Sequence, residues 1–267
     1  MNDRAFYERL WGEVRSSLAV QLSIHRESRR PLLKLLAGLL PEAPSARTLE
    51  VGCGTALDSC LLAKAHPGLC FYACDLSEKA VQVARTNAEA LDACVLTFAG
   101  DLTALPFADG EFDLLFSQGV LEHFTDPAPA MREQVRVLRR GGALVVDVPQ
   151  KFNVYTMRKH QAMREKLWPW GWETEYSAAE LKAWAPRYGL EVAGAVGYQH
   201  GKLLDRLFVH PHRSVRRLLA RRDGNGASKG YRPGALARQW EAMWDGLDAR
   251  VGPYLAINVA VAFRKTS

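Results

Sequence analysis

Short apolar runs alternate with amphipathic stretches through the middle of the chain. The runs RTLEV, CFYACD, VLTFA, FDLLFSQ and GGALVVDVP have the composition of buried strands, and the stretches between them have the period of helices. The last of these helical stretches, 126–140, starts at two prolines. Residues 178–190 predict a further helix, and two later runs, 191–198 and 254–265, predict a sixth and a seventh strand. Strands that alternate with helices in this way predict a parallel sheet joined by right-handed crossovers.

The pattern is extended at its start and interrupted near its end. Phe6, Leu10, Val14 and Leu18 recur every four residues and predict an amphipathic helix over 3–24, and a leucine-rich segment follows it up to Pro41. We therefore expect an N-terminal helical cap over 1–45 and one sheet domain over 46–267. Two insertions, at about 151–177 and 199–250, could cover the carboxyl edge of the sheet, where open α/β sheets bind their ligands.

Composition and charge narrow the class of protein. The 267 residues include 48% hydrophobic ones, no apolar run reaches the ~20 residues of a membrane span, and the N-terminus lacks a secretory signal. The five cysteines form no CxxC pair, which predicts buried or semi-buried free thiols in a cytoplasmic protein. The whole net charge of +6 lies in 200–250, a stretch that could attract RNA, an acidic acceptor or an anionic membrane surface, or simply be solvated.

The segment TLEVGCGT predicts a strand that ends in a cofactor-binding turn. Gly52 and Gly54 allow a close approach of backbone and ligand, and the next helix directs its N-terminus at the same point. Asp75 ends the second strand, 23 residues after Gly52, where a carboxylate can accept hydrogen bonds from a ribose diol. A dinucleotide turn would carry a third glycine at the position of Leu57. The turn alone leaves the choice of cofactor open.

The stretch AGDLTALPFADGEFDLLFSQGVLEHF adds a second group of features. Asp101 closes the third strand, and an LPF segment leads to Glu111-Phe112-Asp113 at the start of the fourth. With these motifs in order, residues 46 to 150 resemble the class I S-adenosylmethionine-dependent methyltransferases, and most closely the small-molecule group that includes the quinone-biosynthesis enzymes. The resemblance implies a Rossmann-like, seven-stranded mixed sheet of order 3-2-1-4-5-7-6 with helices on both faces and an antiparallel seventh strand. It also implies S-adenosylmethionine as cofactor and disfavours a nicotinamide-dependent oxidoreductase.

The resemblance assigns roles to residues at the methionine end of the cofactor. Glu50, Gly52 and Gly54 would line the methionine part. Gln118 and Gly119 end the fourth strand, where enzymes of this family place backbone groups near the amino group and the transferring methyl.

The resemblance assigns other residues to the nucleotide end of the cofactor. Asp75 would bind both ribose hydroxyls, and Leu76 would pack on the adenine. Asp101 would accept a hydrogen bond from the adenine amino group, with Leu102 beside the ring. These positions complete the cofactor site that the resemblance implies.

The remaining candidates concern closure and proton transfer. Tyr7 and Trp11 match the place where an N-terminal helix closes over the cofactor in this family. A hydroxyl or amine acceptor loses a proton on methylation, so a nearby base can help. His123, in LEHF after the fourth strand, is the first candidate base, and Tyr155 and His200 are further candidates. We expect no metal site.

The acceptor is the least determined part. Trp168, Trp170 and Trp172 would suit an aromatic wall for a flat or apolar acceptor or for a cation. The turn SQGV lacks the Asn/Asp-Pro-Pro-Tyr of amino-methylating enzymes and the Pro-Cys of cytosine C5 enzymes. We therefore expect a small-molecule acceptor, aromatic or lipid-like, with nucleic acid unlikely. RNA or another acidic macromolecule stays an alternative through the basic stretch 200–250, which could also associate weakly with a surface. The oligomeric state is not predicted.

Overall fold

The computed structural model describes residues 4–12, 18, 22, 29–168, 173–199, 239, 253–254 and 256–266. The first half contains α1 (Arg4–Gly12), α2 (Arg30–Leu39), β1 (Arg47–Val51), α3 (Leu57–Ala65), β2 (Cys70–Asp75), α4 (Glu78–Leu91) and β3 (Val95–Ala99). The second half contains β4 (Phe112–Gln118), α5 (Ala128–Val137), β5 (Leu138–Pro149), α6 (Val154–Arg164), α7 (Ala178–Lys182), β6 (Leu190–Tyr198) and β7 (Asn258–Lys265).

The seven strands form one sheet in the order β3-β2-β1-β4-β5-β7-β6. The pairs from β3 to β5 are parallel. Strand β7 is antiparallel to both β5 and β6, so β6 runs in the same direction as β5. The expected strand order and the antiparallel seventh strand are confirmed.

Helices cover both faces of the sheet because alternate side chains of each strand point to opposite faces. On one face, α5 and α7 pack against Leu49, Leu115 and Val146. On the other face, α2 and α3 pack against Phe71, Leu114 and Phe116, and the alanines of α4 continue this layer toward β2. The core therefore consists of two apolar layers, one on each side of the strands.

The N-terminal helices have different roles. Leu32 and Leu36 of α2 are fully buried, so α2 is part of the sheet core. By contrast, α1 has no buried residue. It lies on α4, where Arg4 pairs with Glu78 at 2.9 Å. Of the single helix predicted over 3–24, the structure describes α1 and little more, and the domain boundary at residue 45 stays a prediction.

Three predicted elements differ from the structure. The helix expected over 126–140 ends at Val137, because Leu138 pairs with Phe112 and starts β5 ahead of a bulge in the β4–β5 register. The helix expected over 178–190 is split into α7 and a 3-10 turn over Ala185–Tyr188, which contains a proline. The seventh strand begins at Asn258 rather than at 254.

The first insertion contains a helix that the apolar pattern did not predict. Helix α6 has little amphipathic character, but Asn153 caps it, with its side chain accepting a hydrogen bond from the Thr156 backbone N–H at 2.8 Å. The segment 200–238 and most of 239–252 lie outside the described residues. Among the described helices, none has the length and apolar character to cross a membrane.

The cysteines follow the prediction except at one position. All five are free; Cys53, Cys60 and Cys74 are buried and Cys70 is intermediate. Cys94 is exposed, so the expectation that every thiol is at least semi-buried is wrong there. It directly precedes β3, the edge strand of the sheet, where fewer neighbours cover a side chain.

Candidate cofactor site and a buried polar cluster

A cleft opens at the carboxyl ends of β1, β2 and β4, with about 690 Å³ between its walls, part of it continuous with solvent. Its walls come from the loops after these strands, from the loop after β3 and from α1. The residues that line it are Tyr7, Leu10, Trp11, Gly52, Cys74, Asp75, Leu76, Gly100, Leu102, Gly119, Val120, His123 and Phe124. Seven predicted cofactor residues and His123, the first candidate base, are therefore brought together.

The glycine turn after β1 depends on close packing. Gly52 and Gly54 have φ values of +63° and +50°, a region that favours glycine. A Cβ on Gly52 would lie 2.2 Å from Val120, and one on Gly54 would lie 2.6 Å from the Trp11 ring. Both glycines thus allow the turn to be enclosed, Gly52 by the loop after β4 and Gly54 by α1.

Asp75 is the one carboxylate among the described residues that line the cleft. Its Oδ2 accepts a hydrogen bond from the Gly54 backbone N–H and its Oδ1 accepts one from the Ser77 backbone N–H, both at 2.9 Å. Burial raises its pKa above the usual range, and the carboxylate of Glu8 adds to that effect. Each oxygen that accepts one hydrogen bond keeps further acceptor capacity. The buried Asp75 therefore fits a ligand with two adjacent hydroxyl groups.

The remaining nucleotide-end residues surround Asp75. Leu76 and Leu102 line the cleft as apolar walls. The Asp101 side chain accepts hydrogen bonds from the backbone N–H and the hydroxyl of Thr103, both at 2.8 Å, and flanks the cleft beside Gly100 and Leu102. An apolar slot next to a diol-binding carboxylate fits an adenosine, so the residues present fit the implied cofactor.

Helix α1 forms the outer wall. Glu8 accepts a hydrogen bond from the Glu78 backbone N–H at 2.7 Å, at the N-terminus of α4, where a carboxylate is favoured by the helix dipole. This contact places Tyr7 and Trp11 over the cleft. The Tyr7 ring lies edge-to-face with the His123 ring, with centroids 5.8 Å apart.

Glu50 and Gln118 lie behind the cleft, in a group that we call the polar cluster: Arg29, Glu50, Asp58, Gln118, Asp147 and Tyr198. Four of its members sit at the carboxyl ends of β1, β4, β5 and β6, and by strand alternation their side chains point to the face covered by α2 and α3. Arg29 precedes α2 and Asp58 lies in α3. The cluster therefore joins four strands and two helices.

Hydrogen bonds connect the cluster. Arg29 Nη1 donates to Gln118 Oε1 at 2.6 Å and to Asp58 Oδ2 at 3.1 Å. The Gln118 amide donates to Glu50 at 3.4 Å, and the Ser59 hydroxyl donates to the other Glu50 oxygen. The Tyr198 hydroxyl donates to Asp147.

Three buried carboxyl groups share one arginine in this cluster. Glu50, Asp58 and Asp147 are at most 4% exposed. Burial, together with the negative charge of Asp58, raises the pKa of Glu50 to about 8. Burial also raises the pKa of Asp147 to about 7, against the hydrogen bond from Tyr198 and the charge of Arg29. The cluster is therefore sensitive to pH near neutrality.

Sequence reasoning missed four members of the cluster: Arg29, Asp58, Asp147 and Tyr198. Asp147 is a polar residue inside the apolar run GGALVVDVP, which was a usable signal. Nothing in the local sequence indicates a role for Arg29 or Tyr198, because they contact the other members of the cluster only in the folded protein.

Helix α6 and residues 173–176 of the first insertion form a segment that we call the lid, after its predicted role. Buried Lys159 of α6 pairs with Glu173 at 2.8 Å and with Glu175. Trp168 donates from its indole N–H to Glu173 at 3.0 Å, and its ring packs edge-to-face with Tyr155, centroids 6.1 Å apart. Tyr155 is 41% exposed and lies on this lid rather than in the cleft wall. Trp170, Trp172 and His200 lie outside the described residues.

Comparison with known proteins agrees with this geometry. A family described as "Methyltransferase domain" matches residues 49–146. A malonyl-[acyl-carrier protein] O-methyltransferase of Herminiimonas arsenicoxydans is 30% identical over 78% of this chain and 75% of its own length. A demethylmenaquinone methyltransferase of Renibacterium salmoninarum is 35% identical over 42% of this chain and 45% of its own length.

A solved structure shows the same fold. It is a SAM-dependent methyltransferase and possible histamine N-methyltransferase from Thermotoga maritima, with a TM-score of 0.63 and 17% identity over 99% of this chain and all of that one. The choice between the two cofactors is thereby decided: the cofactor is S-adenosylmethionine, and the oxidoreductase alternative is excluded. The fold, the matched family and the related enzyme that is aligned over most of both chains lead to one conclusion, that this chain belongs to the S-adenosylmethionine-dependent methyltransferases.

Proposed function

We propose that this methyltransferase acts on a small molecule, aromatic or lipid-like, held between the cofactor cleft and the lid. The observation that carries the proposal is the position of Gly119, which lines the cleft at the end of β4, next to the turn Leu121–His123 whose Glu122 carbonyl accepts a hydrogen bond from the Thr174 N–H of the lid. An acceptor enclosed there would be shielded from water and directed at the methyl group. A relative named for the quinone precursor demethylmenaquinone supports a small acceptor.

The nucleotide end of the cofactor is assigned to the cleft wall. Asp75 accepts hydrogen bonds from both ribose hydroxyls, and Leu76 and Leu102 enclose the adenine. Asp101 accepts from the adenine amino group. Tyr7 and Trp11 of α1 cover the cofactor from outside, held there by the contact of Glu8 with α4.

The methionine end is assigned to the glycine turn and the polar cluster. Gly52 and Gly54 let the backbone approach the cofactor, and Gly119 lies near the methyl group. Glu50 and Gln118 attract the amino group from behind the turn, and Arg29, which donates to Gln118, adds positive charge for the carboxylate.

The reaction makes modest demands on the protein. The sulfonium group of S-adenosylmethionine activates the methyl when the cofactor is bound, so the chain must align the acceptor and exclude water. The candidate bases for the acceptor proton are His123 in the cleft wall, Tyr155 on the lid and His200. The charge of the basic stretch 200–250 keeps RNA or another acidic macromolecule as an alternative acceptor.

Two measurements test the proposal. S-adenosylhomocysteine should raise the melting temperature whereas NAD should not, and the reverse result would contradict the cofactor assignment. Incubation with a labelled methyl donor and an extract of the source organism should then place the label in the small-molecule fraction. Label confined to the RNA or protein fraction would contradict the proposed acceptor while leaving the cofactor site intact.

A further inference from the structure

Glu122 is a buried carboxyl group with an oxygen that accepts no hydrogen bond from the described residues. It lies in the 3-10 turn Leu121–His123 just after β4, is 2% exposed, and its Oε2 has no hydrogen-bond partner among the described residues. Its backbone carbonyl accepts a hydrogen bond from the Thr174 N–H of the lid at 2.8 Å. A buried carboxyl oxygen without a donor costs stability, so its position calls for an explanation.

The carboxyl group borders open space over Gly119. Gly119 has a φ of +63° and is exposed in the cleft wall. At the point where a Cβ of Gly119 would lie, Glu122 Oε1 is 3.4 Å away, and apart from the chain neighbours of Gly119 no other described atom is within 4 Å. A small group above Gly119 would therefore contact both the cofactor cleft and Glu122.

Among the described residues, no cation forms an ion pair with Glu122. The neighbouring groups that influence it come from the lid, Lys159, Glu173 and Tyr176, and from β5, Asp147. Lys159 is engaged by Glu173 and Glu175, and the described residues form no ion pair with Glu122. The space by Gly119 thus favours a hydrogen-bond donor or a cation and disfavours an anion.

We propose that Glu122 binds the acceptor: it accepts a hydrogen bond from the hydroxyl or amine that is methylated and takes up its proton. The acceptor's oxygen or nitrogen forms a bond to the methyl carbon as the carbon–sulfur bond breaks. The bonding pair stays on sulfur, and the acceptor's proton passes to the Glu122 carboxylate and from there to solvent.

The proposal rests on the proposed function and narrows its substrate class to alcohols, phenols and amines, because a carboxylate acceptor would be repelled by Glu122. Burial and the charges of Glu173 and Asp147 raise the pKa of Glu122 well above its ordinary value. A raised pKa makes a carboxylate a better proton acceptor near neutral pH. His123, next in sequence, contacts Tyr7 in the cleft wall, so the two side chains serve different sides of the turn.

The first test reads the chemistry of the product. The wild-type protein is incubated with a labelled methyl donor and the small-molecule fraction of the source extract, and the labelled product is treated with mild alkali. Methyl ethers and methylamines keep the label, which is the expected result. Label released as methanol reveals a methyl ester and would overturn the assignment of Glu122 while leaving the proposed small-molecule function standing. Absence of any labelled small molecule would overturn both.

The second test uses Glu122→Gln, which removes the proton acceptor but keeps the shape. We expect an unchanged or higher melting temperature, an S-adenosylhomocysteine affinity within about twofold of wild type, and turnover lowered at least ~100-fold. The fall in kcat/KM toward acid pH should also disappear. Gln134→Leu, which removes another buried polar group with an oxygen that lacks a partner, is the control and should keep its turnover. A lower melting temperature or wild-type turnover in Glu122→Gln would assign Glu122 a structural role.

Discussion

The carboxyl edge of the sheet has two halves that are built differently. The nucleotide half, around Asp75, Leu76 and Leu102, is apolar apart from Asp75, whose described hydrogen bonds come from backbone N–H groups. The polar cluster, from Arg29 to Tyr198, is made of side chains that form hydrogen bonds with one another. The hydrogen bonds to the Asp75 carboxylate join residues at most 21 apart in sequence, whereas those within the polar cluster join residues up to 89 apart.

This difference predicts different responses to mutation. Changes in the nucleotide half should appear mainly as lost cofactor affinity, with a loss of stability at Asp75 limited to the two backbone N–H groups that lose their acceptor. A cluster of three buried carboxyl groups and one arginine contributes to folding itself, because removing one charge leaves another uncompensated. Changes there should appear as lost stability and as altered pH dependence.

The largest effect is expected for Arg29→Met. Asp58 is 1% exposed and would lose its ion pair with Arg29, so we expect the free energy of unfolding to fall by about 2–4 kcal/mol. Urea denaturation measures this loss. Arg4→Met is the control, because Arg4 and Glu78 form an exposed pair worth less than about 1 kcal/mol. Equal losses in the two variants would mean that the cluster is no more than a surface network.

The second largest effect is expected for Asp75→Ala, on the affinity for the cofactor product. We expect the affinity for S-adenosylhomocysteine, measured by calorimetry, to weaken by ~1.5–3 kcal/mol, since hydrogen bonds to a charged group are lost. Glu89→Ala, on the exposed face of α4, is the control and should bind normally. An unchanged affinity in Asp75→Ala would remove Asp75 from the site.

The pH dependence of the free energy of unfolding should reveal the buried carboxyl groups of the polar cluster. The pKa of Glu50 rises from an ordinary 4.5 to about 8 on folding, so the folded state binds the proton more tightly. Its contribution to stability is full below pH 4.5 and is lost as pH rises toward 8, with a slope of at most about 1.4 kcal/mol per pH unit. Asp147 acts in the same direction between 3.8 and about 7.

Denaturation curves from pH 5 to 9 measure this slope. Glu50→Gln should remove most of the slope that remains between pH 7 and 8, where Asp147 is more than half deprotonated. Asp147→Asn, the matched variant, should flatten it mainly below pH 7. If Glu50→Gln kept the wild-type slope between pH 7 and 8, the raised pKa of Glu50 would be wrong.

The smallest effect is expected for Trp11→Ala. Trp11 covers Gly54 and the mouth of the cleft, but α1 is held to α4 by other contacts. We expect a loss of ~0.5–1.5 kcal/mol in affinity for S-adenosylhomocysteine, the scale of an aromatic contact. Arg9→Ala, exposed on α1, is the control. No difference between these variants would mean that α1 does not close the nucleotide half.

How far the sequence predicts the molecule depends on the range of the contacts. The strands, the glycine turn and the position of Asp75 follow from apolar periodicity and from motifs in one continuous stretch, whereas the strand order and the role of Leu102 were implied by the resemblance to a known family. The end of α5 was mispredicted because the pairing of Leu138 with Phe112 overrode the local preference for helix. Helix α6 was missed because a cap at Asn153 and not an apolar stripe defines it.

The sequence by itself therefore determined the fold class and the cofactor, and it predicted the residues of the nucleotide half. Only the tertiary structure decided that Arg29, Asp58, Asp147 and Tyr198 meet Glu50 and Gln118, and that Glu122 borders the space over Gly119. The physical reason is that a turn and a strand end are encoded locally, whereas burial and the shift of a pKa arise from groups that folding brings together from distant positions.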